Sequence, residues 1–205
     1  MGTEQKVAVV TGASQGIGAG IVQAFRDRNW RVVATSRSIK PSTDADVVTI
    51  QGDVGAPETA EKVIKAALER FGRIDTLVNN AGTFMAKPFT AYSQGDYDIY
   101  LSTNVTGFFH MTQGALKLMS KQGHGHIVTI TTSLVDQPMS SVPAALASLT
   151  KGALSAATRA LAIEYAKTGI RERGVAGNNQ DSDASTRSAS GIGGASPNGA
   201  NGRCI

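Results

Sequence analysis

Cysteine, aromatic residues and long apolar runs are scarce in this sequence, and each shortage excludes something. Its 205 residues include one cysteine, Cys204, so no intrachain disulfide forms and nothing points to an oxidising compartment. No apolar run approaches the roughly 18 residues needed to cross a bilayer. Thr3, Glu4 and Gln5 near the start show no signal-peptide pattern. The expected compartment is therefore the cytoplasm, with no membrane partner. Charge of one sign is also lacking. Twenty basic residues face sixteen acidic ones, for a net charge of +4, and the basic residues form no run. A mixed, solvated surface is expected, with no nucleic-acid partner. Residues 171–205 lack Leu, Met, Phe, Tyr and Trp altogether and hold seven of the 23 glycines. Such a segment cannot bury enough apolar surface to offset its ordering entropy, so a disordered tail is expected there. The folded domain is expected over residues 1–170.

Within that domain, short apolar runs alternate with helical spacing. Val7–Val10, Arg31–Thr35, Val47–Ile50, Ile74–Val78 and Ile127–Ile130 read as buried strands. Ala60, Val63, Ile64, Ala67, Leu68 and Phe71 form an amphipathic stripe behind Pro57, closed by Gly72. Helices are also expected over residues 97–119 and 144–167. Strands alternating with helices predict an α/β fold with a doubly wound, Rossmann-like parallel sheet.

The first strand runs into Thr11-Gly12-Ala13-Ser14-Gln15-Gly16-Ile17-Gly18, and a helix follows. A glycine-rich turn between strand and helix lets backbone approach a pyrophosphate, which then meets the free amides of the helix N-terminus. Ser14, Gln15 and Ile17 lie in this turn with Gly12, Gly16 and Gly18.

With these residues the sequence resembles the short-chain dehydrogenase/reductase family, from residue 6 to about 170. Further marks follow in order: Asp53-Val54 after the third strand, Asn79-Asn80-Ala81-Gly82 after the fourth, Asn104 in Asn104-Val105-Thr106-Gly107, and Lys151. The resemblance implies an oxidoreductase that transfers a hydride between a nicotinamide dinucleotide and a carbonyl or alcohol. It implies that Asp53 and Val54 lie near the adenine, that Asn80, Ala81 and Gly82 line the cofactor, and that Asn104 belongs to the proton relay. Lys151 would hold the nicotinamide ribose. It also implies homo-oligomerisation through the long helices. The second strand ends in Thr35-Ser36-Arg37-Ser38 without an acid. Arg37 can pair with a 2′-phosphate, and in the family this pattern goes with NADP, with NAD the lesser alternative.

Two departures stand against the resemblance. The family's tyrosine proton donor lies four residues before the lysine, but Ala147 stands there. Tyr92, Tyr97, Tyr100 and Tyr165, all the tyrosines of the chain, lack the spacing. The carbonyl-orienting hydroxyl falls on Thr132 counted from the fifth strand and on Ser133 counted back from Lys151, with Ser133 slightly preferred. The second departure is the tail, where the family continues into further strands. Codons for Gly174 to Ala184 can be chosen so that reading one nucleotide later gives Val-Ser-Pro-Gly-Ile-Ile-Lys-Thr-Pro-Met. That resembles the family's sixth strand and its Pro-Gly turn. Codons for Ser196 to Ile205 give a second family-like stretch in the same shifted frame. Both point to a reading-frame change near codon 172. Three readings stay open: an NADP-linked oxidoreductase, a silent dinucleotide binder, and a non-functional product of a shifted frame. His124 and His126, without a nearby carboxylate or cysteine in sequence, do not make a metal site.

Overall fold

Val, Ile and Ala dominate the strands, so the sheet forms the centre and the helices lie on its faces. The computed structural model describes residues 5–177; residues 1–4 and 178–205 lie outside the described residues. The strands are β1 (Val7–Thr11), β2 (Arg31–Ser36), β3 (Val47–Gln51), β4 (Thr76–Asn79), β5 (Gly125–Thr132) and β6 (Ile170–Gly177). The helices are α1 (Gly16–Arg26), α2 (Pro57–Phe71), α3 (Gln94–Tyr100), α4 (Gly107–Gln122) and α5 (Ala145–Glu164). All strand pairs are parallel, in the order β3-β2-β1-β4-β5-β6. The chain builds outward from β1 in one direction, then returns to place β4 on its other side. That reversal opens a crevice beyond the carboxyl ends of β1 and β4, where open α/β sheets bind ligands.

Two apolar layers hold the sheet. Val7, Val9, Leu77 and Ile127 pack under α2 and α4 through residues such as Val63, Ala67, Met111 and Met119. Val10, Val32, Ala34 and Val78 pack under α1 through Ile21, Val22 and Phe25. Each large side chain buried in this way contributes about 1.5–3 kcal/mol. The α2 stripe is narrower than its spacing predicts: Ala60, Val63, Ala67 and Phe71 are buried and Ile64 is half-buried, but Leu68 is exposed, and Gly72 ends the helix at a left-handed φ of +78°.

Two expectations need correction. The single helix expected over 97–119 is split. Between α3 and α4 the backbone opens into a π-type turn, Leu101–Thr106, around the buried Asn104. Apolar periodicity does not reveal such a widened turn, because its cause is the side-chain bonding of one polar residue. The second correction concerns the tail. Disorder is expected from residue 171, yet Ile170–Gly177 pairs with β5 residue for residue, from Gly125↔Ile170 to Thr132↔Gly177. The ladder needs only backbone donors and acceptors, and any residue other than proline supplies both. Ile170, 3% exposed, anchors the strand in the core.

Candidate active site

Thr11 ends β1, and its hydroxyl holds the crevice wall together. Thr11 Oγ1 accepts hydrogen bonds from the amides of Asn80 (3.0 Å) and Ala81 (2.9 Å) and donates to the carbonyl of Val78 (3.3 Å). Asn80 Nδ2 in turn donates to the carbonyls of Thr11 (3.0 Å) and Gly12 (3.2 Å). The two strand ends are thereby locked at the switch point. Sequence reasoning missed Thr11; its place as the last strand residue before a glycine was the available signal.

The glycines of the turn are required by close approach. Gly12 adopts φ +65°, and a Cβ there would lie 2.8 Å from Ala81 Cα. A Cβ on Gly18 would overlap the carbonyl of Gly12 and lie 2.6 Å from Asn80 Nδ2. At the start of α1, Gln15 makes no side-chain capping bond and the first turn holds no acid. Its amides are thus left for an anion. Ser14, Gln15 and Gly16 are exposed, and Ile17 is 39% exposed. The residues present therefore fit a pyrophosphate lying over the turn.

At the end of β2, Arg37 is exposed. Among the described residues its guanidinium has no ion-pair partner, while its carbonyl accepts from Gln51 Nε2 at 2.9 Å. Ser38 Oγ lies 3.5 Å from Ser14 Oγ, which brings the β2 end beside the glycine turn. Asp53, beyond β3, is exposed and caps the Gly55 amide at 2.9 Å; Val54 is buried beside Gly107 of α4.

On the other side of the crevice stand Asn104 and Lys151. Asn104 Oδ1 accepts from the Thr83 amide at 2.9 Å, and its Nδ2 donates to Thr150 Oγ1 at 3.0 Å. Lys151 Nζ donates to the carbonyl of Ile130 at 2.7 Å. Burial pulls this amine down to about 8. A Cβ on the exposed Gly82 would meet Lys151 Nζ at 3.0 Å and Asn104 Oδ1 at 3.3 Å, so these three residues converge.

A family model for short chain dehydrogenase matches residues 6–191. The chain belongs to this family. An uncharacterized oxidoreductase of Staphylococcus epidermidis is 30% identical over 174 residues, which cover 82% of this chain and 75% of the relative. The solved structure of ElxO with NADP bound superposes with a TM-score of 0.78 at 29% identity, covering 84% of this chain and 73% of that one. A 3-ketoacyl-(acyl-carrier-protein) reductase of Brucella melitensis, complexed with NADH, gives 0.79 at 25% identity, covering 84% and 75%.

In this short-chain dehydrogenase the two hydroxyl candidates differ in what they do. Thr132 is buried, and its hydroxyl accepts from the Leu134 amide at 3.3 Å, capping the following turn. Ser133 is half-buried; its carbonyl accepts from Asp136 and Gln137, and its hydroxyl has no protein partner among the described residues. Ser133 thus carries the free hydroxyl. Ala147 is 1% exposed and packs with Tyr100 and Leu134. Neither Tyr100 nor Tyr92 replaces the missing phenol. The Tyr100 hydroxyl is bonded to the amide and carbonyl of Met85, and burial pushes it up to about 12. Tyr92 donates to the same Met85 carbonyl at 2.6 Å. Tyr165 packs beside the core under α2 and α4.

The histidines are engaged elsewhere. His124 lies 3.2 Å from Asp75 Oδ1, and His126 is held below its ordinary value by burial and by Arg171 and Arg173. Among the described residues no group of three or more His, Cys, Asp or Glu side chains is placed to hold a metal. Among them, too, no helix is long and apolar enough to cross a membrane.

Proposed function

We propose that this chain binds NADP(H) in the crevice and transfers a hydride between it and a small carbonyl or alcohol substrate. The observation that carries the choice of cofactor is the end of β2, where Arg37 is exposed between Ser36 and Ser38 and no acid is present. A guanidinium there pairs with a 2′-phosphate, whereas an acid would repel it. Solved relatives with NADP and with NADH support a nicotinamide dinucleotide; Arg37 favours the phosphorylated one.

Bound there, the nicotinamide supplies or accepts the hydride. Gly12, Gly16 and Gly18, with Ser14, Gln15 and Ile17, hold the pyrophosphate against the α1 amides. Asp53 and Val54 border the adenine, and Asn80, Ala81 and Gly82 form the inner wall. Lys151 holds the nicotinamide ribose and Ser133 orients the carbonyl, with Thr132 supporting the turn behind it. Asn104 keeps Thr83 and Thr150 in register.

Titration with NADPH and NADH, followed by nucleotide fluorescence and thermal shift, tests this reading. NADPH is expected to bind at least tenfold more tightly, a difference of about 1.4 kcal/mol. Arg37→Ala should abolish that preference. Stabilisation by neither nucleotide sinks the proposal.

A second reading, a silent dinucleotide binder, is favoured by the buried methyl of Ala147 where a proton donor is needed. A third, a product of a shifted reading frame, is favoured by Glu172, a β6 carboxylate whose two oxygens are buried without partners among the described residues. We place the protein in the cytoplasm and expect self-association, supported by the exposed Phe109 on α4 and Leu149 and Ile163 on α5. Light scattering at two concentrations checks the latter.

A further inference from the structure

Replacing the family tyrosine with Ala147 removes a phenol and leaves an amine. Apart from Ser133, whose free hydroxyl orients the carbonyl in the reading above, the hydroxyls near it are occupied. Tyr100 and Tyr92 are tied to Met85, Ser148 donates to the Leu134 carbonyl, and Thr150 donates to the carbonyls of Leu146 and Ala147. Lys151 is different. An ammonium carries three protons, and one recorded bond, to Ile130, uses one of them. The side of Nζ facing Gly82 carries no side chain, and Gly82 is exposed. The amine is thus held from behind by the Ile130 carbonyl, with the exposed, side-chain-free Gly82 next to it.

We propose that Lys151 is itself the proton donor when this chain reduces a carbonyl. The inference rests on the oxidoreductase reading above and deepens it. As the carbonyl carbon takes up the hydride from the reduced nicotinamide dinucleotide, the C=O π electrons move to oxygen. That oxygen takes a proton from Lys151 Nζ, whose N–H bond breaks and leaves a neutral amine. Water then returns a proton to the amine. Run in reverse, the neutral amine takes the alcohol proton.

The protonation state suits this task. Burial makes Lys151 a stronger acid than a surface lysine, with a midpoint of about 8 rather than above 10. The helix packs against α3, β5, β6 and the turns beside them. Their titratable groups are Asp96, Tyr97, Asp98, Tyr100, His126, Arg171, Glu172 and Arg173. None of them contributes to the shift, whose cause is burial.

The test uses the full chain, NADPH and a panel of aromatic and aliphatic aldehydes. Nucleotide affinity is measured alongside turnover. Turnover should fall tenfold per pH unit above about 8. The Lys151 amine, followed directly by NMR with isotope-labelled lysine, should titrate at the same midpoint. Lys151→Arg keeps a cation but releases no proton. Compared at saturating NADPH, so that any weaker hold on the ribose is offset, it should lose turnover at least a hundredfold. A smaller loss, or a kinetic midpoint more than one pH unit from the NMR midpoint, overturns the proposal. Ala147→Tyr separates the two levels. If the parent turns over and Lys151→Arg keeps that turnover, the Lys151 proposal is wrong and the oxidoreductase reading stands; if the parent binds NADPH without turnover and Ala147→Tyr creates it, both fail and the chain is the silent binder. If neither protein turns over any aldehyde, the oxidoreductase reading itself fails.

Discussion

Asn104 Nδ2 donates a 3.0 Å hydrogen bond to Thr150 Oγ1, the residue immediately before Lys151. Through this bond the π-type turn and α5 are fixed to each other, and Asn104 Oδ1 extends the link to the Thr83 amide at 2.9 Å. Asn104 is 1% exposed, so water cannot take over either role. Asn104→Ala should therefore leave the Thr83 amide and Thr150 hydroxyl short of a partner. The expected loss is about 2–3 kcal/mol, read as a lower urea midpoint.

Gly16 and Gly18 lie in one turn but should respond differently to alanine. At Gly16, φ is +53° and no atom stands within 4 Å of a Cβ, so only backbone strain of about 1 kcal/mol is expected. At Gly18 a methyl would overlap the Gly12 carbonyl. Backbone cannot move aside there without separating β1 from Asn80. Gly18→Ala should abolish nucleotide binding, whereas Gly16→Ala should weaken it modestly. Parallel fluorescence titrations compare them; equal losses would show that the clash at Gly18 does not control the site.

What the sequence made legible was the part governed by local pattern. Val7–Val10 and the Ala60–Phe71 stripe announce strand and helix because burial follows a period, and the glycine turn announces itself because a bound anion needs bare backbone. Three features had no such pattern. The turn at Asn104 is decided by two hydrogen bonds to residues 21 and 46 positions away. Thr132 and Ser133 are neighbours with the same functional group, and only the Leu134 amide tells them apart. Strand β6 has few apolar residues and forms because β5 offers it a free edge, which composition does not record.

Asp75 holds the opposite end of the sheet. It is 8% exposed and accepts from the Val7 amide (2.8 Å), from Arg73 (2.9 Å at Nε) and from His124 (3.2 Å). Burial works to raise its pKa, but the Arg73 and Val7 bonds outweigh it, and the net direction is downward. A depressed carboxylate stabilises the fold above its unfolded value near 3.9, and that stabilisation is lost as pH falls below it. Asp75→Ala should cost about 2 kcal/mol at pH 7 by removing the carboxylate that the buried Val7 amide donates to. The mutational difference should shrink as pH is lowered towards 3, which urea melts at several pH values would show.

Glu172 presents the reverse case. It pairs in register with Ile127, so its side chain emerges on the sheet face that packs under α4 and α5. Both carboxylate oxygens are buried without a hydrogen-bond partner among the described residues. Burial, helped by Glu164, pushes this group up to about 7. A raised carboxylate costs nothing below its unfolded value near 4.3, where both states are protonated, and the full cost appears above about 7. Stability should therefore fall as pH rises between those limits. Because part of the side chain reaches solvent, the cost is discounted to roughly 1–2 kcal/mol. Glu172→Val removes the buried carboxylate and suits the apolar face, so it should raise the melting temperature at pH 8 by several degrees. The gain should be much smaller at pH 4.5. Equal gains at both values would mean that Glu172 is not buried as a carboxylate, and would remove the strand-based argument for a shifted frame.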